Sequence, residues 1–168
     1  MNITIAAAKF HIGHPVSLAT IVQSGEFRRT TRSYRVPFMV IQCGGRKRKT
    51  VLLFESGKAI GVLKDTDDAD LHIHLFCRKM ARRIDRSLGI TRKARANLED
   101  YKVSNLCTII NGENYPVQEK YKTENGGKVR FFRDRIIVSN CKTREALEEA
   151  LNEAKERNKE DTLRRIQI

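Results

Sequence analysis

Polar or small side chains alternate with apolar ones along Asn2-Ile3-Thr4-Ile5-Ala6-Ala7-Ala8, the pattern of a strand with one face buried. From Pro15 to Ser24 the period lengthens to that of a short helix. Leu18, Ile21 and Val22 share a face, Pro15 suits a first helical position, and Gly25 supplies a left-handed stop. The stretch Arg28-Arg29-Thr30-Thr31-Arg32 reads as a basic loop. Three strands follow, Phe38 to Cys43, Thr50 to Phe54 and Lys58 to Leu63, with Gly44-Gly45 and Ser56-Gly57 as tight turns. Asp65 to Leu88 is the strongest helix signal. Asp65 or Thr66 caps it, Asp67, Asp68 and Asp70 crowd its positive end, and Arg78, Lys79, Arg82, Arg83 and Arg86 its negative end, with Gly89 as the stop. Its stripe of Ile73, Cys77, Met80, Ala81, Ile84 and Leu88 has to cover something.

The pattern then restarts. Val103 to Ile110 reads as a strand with Asn105, Cys107 and Ile109 on one face. Glu124-Asn125-Gly126-Gly127 turns a hairpin between Lys120-Tyr121-Lys122 and Val129 to Phe132, and Arg135 to Cys141 is a further strand. Thr143 caps a helix with the stripe Ala146, Leu147, Ala150, Leu151 and Ala154, and the chain after Lys159 reads as a loose tail. Strands followed by a long helix thus occur twice. A longer copy spans residues 1–92, an abbreviated one residues 98–159, and a tail residues 160–168. Each copy predicts an antiparallel sheet with helices on one face, an α+β layout.

Composition narrows the partner. The net charge is +13 in 168 residues, which favours a polyanion held by released counterions. A chain of this length buries about two-thirds of its unfolded surface, so a core forms without staples. The four cysteines, Cys43, Cys77, Cys107 and Cys141, form no C-x-x-C pair and read as reduced, mostly buried thiols. The run Arg46-Lys47-Arg48-Lys49 reads as a solvated or phosphate-facing loop in preference to a nuclear-import tag.

One stretch resembles a known family. Val51-Leu52-Leu53-Phe54-Glu55-Ser56-Gly57-Lys58, followed by a strand and a long basic helix, is similar to the repeat of the TATA-box-binding protein family, in which a Phe-x-Ser-Gly-Lys hairpin sits on a curved sheet. Asn2-Ile3 resembles the opening of the first family repeat and Asp100-Tyr101-Lys102-Val103-Ser104-Asn105-Leu106 that of the second. Tyr115-Pro116-Val117 has an aromatic-Pro-aliphatic counterpart, and Phe132 to Lys142 resembles the second hairpin, with Arg133-Asp134-Arg135 in place of Ser-Gly-Lys. The resemblance covers most of residues 1–155, continuously in the first copy and with gaps in the second. The shortened second copy and the helix start Cys141-Lys142-Thr143-Arg144 are similar to forms from large DNA viruses.

The resemblance implies a two-repeat saddle, with a curved antiparallel sheet whose concave face meets the minor groove of double-stranded DNA and bends it, and with helices on the convex face that recruit polymerase subunits or a general transcription factor. Bending by inserted apolar wedges is the mechanism attached to this family. Strand alternation gives the DNA-facing set in the first copy: Phe38, Val40, Gln42, Leu52, Phe54, Lys58, Ile60 and Val62, with Thr4 on the opening strand. Phe38 and Phe54 match the family's intercalating pair; the competing reading is ordinary core phenylalanine. Asn2 and Asn105 match its two central base-contacting asparagines; the competing reading is a strand-end Asn bonded to local backbone. In the second copy the set is Cys107, Phe132, Arg135, Ile137 and Ser139, with Arg135 in the place of a phosphate-binding Lys. Lys128 and Arg130 fall where the family carries aliphatic groove residues, and Tyr121 is the only aromatic near Phe132. A half charged in this way would grip phosphates without kinking a base step.

No enzyme chemistry emerges. His72 and His74 are two apart on a helix and point about 200° apart, so they cannot share a metal. His11 and His14 lack Cys or carboxylate partners, and there is no glycine-rich phosphate loop, nucleophile elbow or carboxylate pair. No cofactor, metal, membrane or small-molecule substrate is expected. The expected location is the nucleus or a cytoplasmic viral factory. Two rival readings remain: a scaffold module of the transcription machinery that keeps the fold without bending DNA, and, ranked below it for want of a catalytic domain, the substrate-gripping domain of a nuclease or glycosylase.

Overall fold

The computed structural model describes residues 1–32, 35–43, 48–91, 98–112, 115 and 119–166. In chain order the elements are β1 (Ile5–His11), α1 (Leu18–Ser24), β2 (Arg29–Arg32), β3 (Phe38–Cys43), β4 (Lys49–Phe54), β5 (Lys58–Leu63), α2 (Ala69–Ser87), β6 (Glu99–Asn111), β7 (Lys120–Lys122), β8 (Lys128–Phe131), β9 (Arg135–Cys141) and α3 (Arg144–Ile166). The strands form one nine-stranded curved sheet in the order β2-β3-β4-β5-β1-β6-β9-β8-β7, every neighbour antiparallel. Read outward from the centre the order is mirrored: β1, β5, β4, β3 on one side and β6, β9, β8, β7 on the other. β2 extends the first side by one edge strand.

The helices lie on a single face, α2 against β1 and β5, α3 against β9, β6 and β8. Alternation decides which residues meet them. Ala6, Ala8 and Phe10, Met39 and Ile41, Val51 and Leu53, Val129 and Phe131, and Ile136 and Val138 are buried, while their strand neighbours stay half-exposed or exposed. On α2, Ile73, Cys77, Met80, Ala81 and Ile84 face the sheet; on α3, Leu147, Ala150, Leu151 and Ala154 do so. Two glycines are steric requirements. A Cβ on Gly57, in the turn at φ 96°, would sit 2.2 Å from the His14 carbonyl oxygen, and one on Gly61 in β5 would sit 2.7 Å from Cys77 Sγ of α2. β5 and α2 therefore approach as closely as a missing side chain allows, and burial pushes the Cys77 thiol up to about 12.

The two copies are also joined by charge. Arg144, at the start of α3, donates from Nε and Nη2 to the two oxygens of Asp70 at 2.8 and 2.7 Å, and from Nη2 to Asp68 Oδ1 at 3.2 Å. This planar, forked geometry is what guanidinium offers carboxylate.

Several boundaries differ from the sequence expectation. Residues 29–32 form edge strand β2, paired with β3, where a basic loop was expected; the alternate positions of an outermost strand tolerate charge. α1 starts after Ser17, whose hydroxyl accepts from the Thr20 N–H, so Pro15 lies outside the helix. Gly25 closes it at φ 70°. α2 starts at Ala69, because Asp65 and Asp68 adopt left-handed conformations (φ 47° and 50°) and end the preceding turn instead of entering the helix. α3 continues through Lys159 to Ile166, since its stripe ends where the sheet ends but its helix-forming Lys, Glu and Arg residues do not. The expected turn at Gly44-Gly45, the basic pair Arg46-Lys47 and Pro116-Val117 lie outside the described residues.

The close approach at Gly61 makes a prediction. Gly61→Ala should lower stability by about 1–3 kcal/mol through overpacking against Cys77. In denaturant melts, the same change made together with Cys77→Ala should cost less than the sum of the two single changes. Additive losses would place the clash elsewhere.

Candidate nucleic-acid interface

The face opposite the helices carries no covering element among the described residues. In the first half it is apolar at its centre. Phe38 pairs across strands with Phe54, Val40 with Leu52, Gln42 with Thr50, Leu52 with Ile60, and Thr50 with Val62, and all of these side chains are half-exposed. The Phe38 and Phe54 rings lie 5.3 Å apart between centroids, tilted by 46°, and end two adjacent strands of this face. Cations border it: Lys58 beyond the Ser56-Gly57 turn, and Lys9, which pairs with Ile60 on one side and Lys102 on the other. An exposed, continuous apolar strand face rimmed by charge marks a binding surface.

The second half is built from the same geometry with different chemistry. Ile109 and Ile137 pair near the centre, continuing the apolar strip. Outward, Arg130 pairs with Ile137 on one side and Lys120 on the other, and Lys128 pairs with Ser139 and with Lys122. The guanidinium of Arg135 lies 4.8 Å from the centroid of Phe132 and that of Arg130 5.8 Å. Arg135 Nε is buried without a hydrogen-bond partner among the described residues. A buried donor left unpaired costs free energy unless a ligand completes it.

Most of the expected DNA-facing residues come together here: Phe38, Val40, Leu52, Phe54, Lys58, Ile60, Val62, Phe132, Arg135, Ile137 and Ser139 share the open face. Three of the expected residues are placed differently. Asn2 is turned toward α2, where its Oδ1 accepts from the Asp68 N–H at 2.9 Å and its Nδ2 donates to Asp67 Oδ1 at 2.8 Å. It serves the orphan donors at the start of a helix, across 66 residues of chain. Thr4 precedes β1, half-buried beside that same turn, with its carbonyl accepting from the Thr66 N–H. The open-face positions of β1 are Ile5, Ala7, Lys9 and His11. Cys107 shares the open-face register, opposite Ile5, yet is only 5% exposed, and burial, reinforced by nearby Cys141, pushes its thiol up to about 11. Its sulfur is covered and protonated at neutral pH. Tyr121, the only candidate ring partner for Phe132, lies on the helix side, stacked on Phe131 at 6.3 Å with the Arg157 guanidinium 4.0 Å from its centroid.

Asn105 remains at the centre of the sheet. It pairs with Ala7, and its Oδ1 accepts from the Asn140 N–H at 2.7 Å, where Asn140 bends the end of β9 at φ 59°. Its Nδ2 has no partner among the described residues and is the one central amide donor of this face. Lys9 and Lys102 also stand on this face; the alternation that puts Asn2 and Thr4 outward would turn Lys9 inward, and the open side of β1 has the opposite parity.

The mirrored strand order and one-sided helices have a solved counterpart. The TBP of Methanococcus jannaschii matches this chain with a TM-score of 0.72 over 94% of this chain and 97% of its own, at 16% sequence identity. The fold is the two-repeat TATA-box-binding-protein saddle. No protein-family model and no curated protein matches the sequence. The likeness is therefore one of architecture, and the open face described above is the concave face of the saddle.

Adjacent residues of β4 test this division of faces. Leu53, fully buried, should cost about 2–5 kcal/mol when cut to Ala. Phe54→Ala should cost on the order of 1 kcal/mol, the value of its contact with Phe38. Thermal melts of the two variants compare them directly, and a larger loss at Phe54 would reverse the faces.

Proposed function

We propose that this protein is a DNA-binding transcription initiation factor. Its open face docks on the minor groove of promoter DNA and bends it, and its helix-covered face is left to contact polymerase or another initiation factor. The observation that carries this reading is the pairing of a half-exposed apolar strand face with a cationic border, on a saddle fold shared with an archaeal TBP. A duplex supplies what such a face needs. The floor of the minor groove offers few and degenerate polar groups, so apolar side chains and a single central amide such as that of Asn105 fit it better than a dense array of donors. The phosphates on either side match Lys9, Lys58, Lys102 and the cations of β7 and β8, and the net charge of +13 favours counterion release. The rings of Phe38 and Phe54 stand where an apolar wedge can open a deformable step. The scaffold alternative keeps the charge but gives no role to the uncovered apolar strip.

Equilibrium binding to a TA-rich duplex tests the reading. The dissociation constant should weaken steeply between about 50 and 200 mM salt. Lys58→Ala should weaken TA-rich and GC-rich duplexes alike and lower the salt slope by about one. An affinity that barely moves with salt, or no binding at the low-salt end, would leave the protein as an interaction module.

A further inference from the structure

We infer that, given the reading of the open face as a duplex-DNA site, its two halves act differently. The first inserts a ring pair at one base step and the second holds the backbone without inserting, so the duplex is kinked at one end only and is bound in one orientation.

The first half has the parts of a wedge. Phe38 and Phe54 are cross-strand partners, both half-exposed, and among the described residues no guanidinium is stacked on either ring. Two adjoining rings on rigid strands can replace the stacking of an opened step at little entropic cost.

The second half has the place for a wedge but not the parts. Phe132 faces Arg135 across the β8–β9 turn, its N–H bonded to the Arg135 carbonyl, as Phe54 stands across its own turn from Lys58. Here, however, the ring lies against the guanidiniums of Arg135 and Arg130. A ring that enters a base stack must give up both cations, whereas the cations reach phosphates without moving the ring. No second ring stands ready among the described residues. Tyr115, Tyr121 and Phe131 pack together on the helix side, with centroids 5.9 and 6.3 Å apart, and the residues before β7, Pro116 to Glu119, include no aromatic.

The strand register indicates the ligand of this half. Lys120 is directly opposite Arg130, and Lys122 is directly opposite Lys128, with all four side chains exposed. Like charges facing each other across a strand pair destabilise a sheet. Two such pairs in a three-residue strand become favourable when an anion lies across them. A phosphate backbone supplies anions at a repeated spacing, and contacts of this kind position a duplex without opening it.

The full-length chain can be tested on a short duplex with one asymmetric TA-rich site. 2-Aminopurine is placed in turn at each step, so that unstacking reads as a fluorescence rise, and every variant is first checked by a thermal melt. The expected result is a rise at one end of the site only, lost in Phe54→Ala and kept in Phe132→Ala. Lys128→Ala combined with Arg130→Ala should weaken binding and lower the salt slope by about two, with the fluorescent step unchanged. Two unstacked steps, a rise that disappears in Phe132→Ala, or tight binding with no unstacked step would each overturn the single kink while leaving DNA binding intact. Failure of the unaltered chain to bind at low salt would instead refute the DNA reading beneath it.

Discussion

The antiparallel pairing of β1 with β6 is the interaction on which the molecule depends. Each copy could close a small sheet under its own helix, but only this seam turns two short sheets into one surface of nine strands. It is irregular, with register shifts at Ala7/Ala8 and Lys9/His11 on β1, and bulges of this kind bend and twist a strand. The small side chains Ala6 and Ala8 face the helices there. The seam is also where the centre of the open face is made, since Ala7 meets Asn105 and Ile5 meets Cys107 across it. The Arg144 fork to Asp70 and Asp68 supports the same junction from the helix side.

Placing every helix on one side of such a sheet has a chemical consequence. Strand alternation cannot make one face apolar without fixing the composition of the other, so whatever fills the outward positions stands free. In the first half those positions hold Phe38, Val40, Leu52, Phe54, Ile60 and Val62, a set that gains nothing from water. In the second half they hold Lys120, Lys122, Lys128 and Arg130, which gain nothing from one another. On the proposed reading, one elongated polyanion with an apolar groove floor would satisfy both, so that a duplex would account for the two halves together.

The long elements and both faces of β3, β4 and β5 were legible in the sequence because their patterns are local. Six-residue strands bounded by Ser56-Gly57, and a helix stripe ended by Gly89, need no tertiary information to be read. What escaped was long-range. Asn2 reads as an open-face amide because nothing nearby in the chain shows that its Oδ1 accepts from the Asp68 N–H. Asp65 or Thr66 reads as the cap of α2, whereas the helix starts after Asp68, because left-handed backbone at Asp65 and Asp68 has no hydrophobic signature. Cys107 kept the parity expected of it but is covered by its neighbours, and parity reports direction, not depth. In the second half β7 and β8 have three and four residues, too few for alternation alone to assign Tyr121 to the helix side.

On the proposed reading the open face, and not the helix-covered one, meets duplex DNA. Methyl NMR of the full-length protein with a TA-rich duplex tests it most directly. Intermolecular contacts are expected from Val40, Leu52, Ile60, Val62 and Ile137 to sugar protons of the minor groove, while the exposed methyls of Leu71 and Leu75 on α2 stay unchanged. Contacts at Leu71 and Leu75, with the open-face methyls undisturbed, would contradict it.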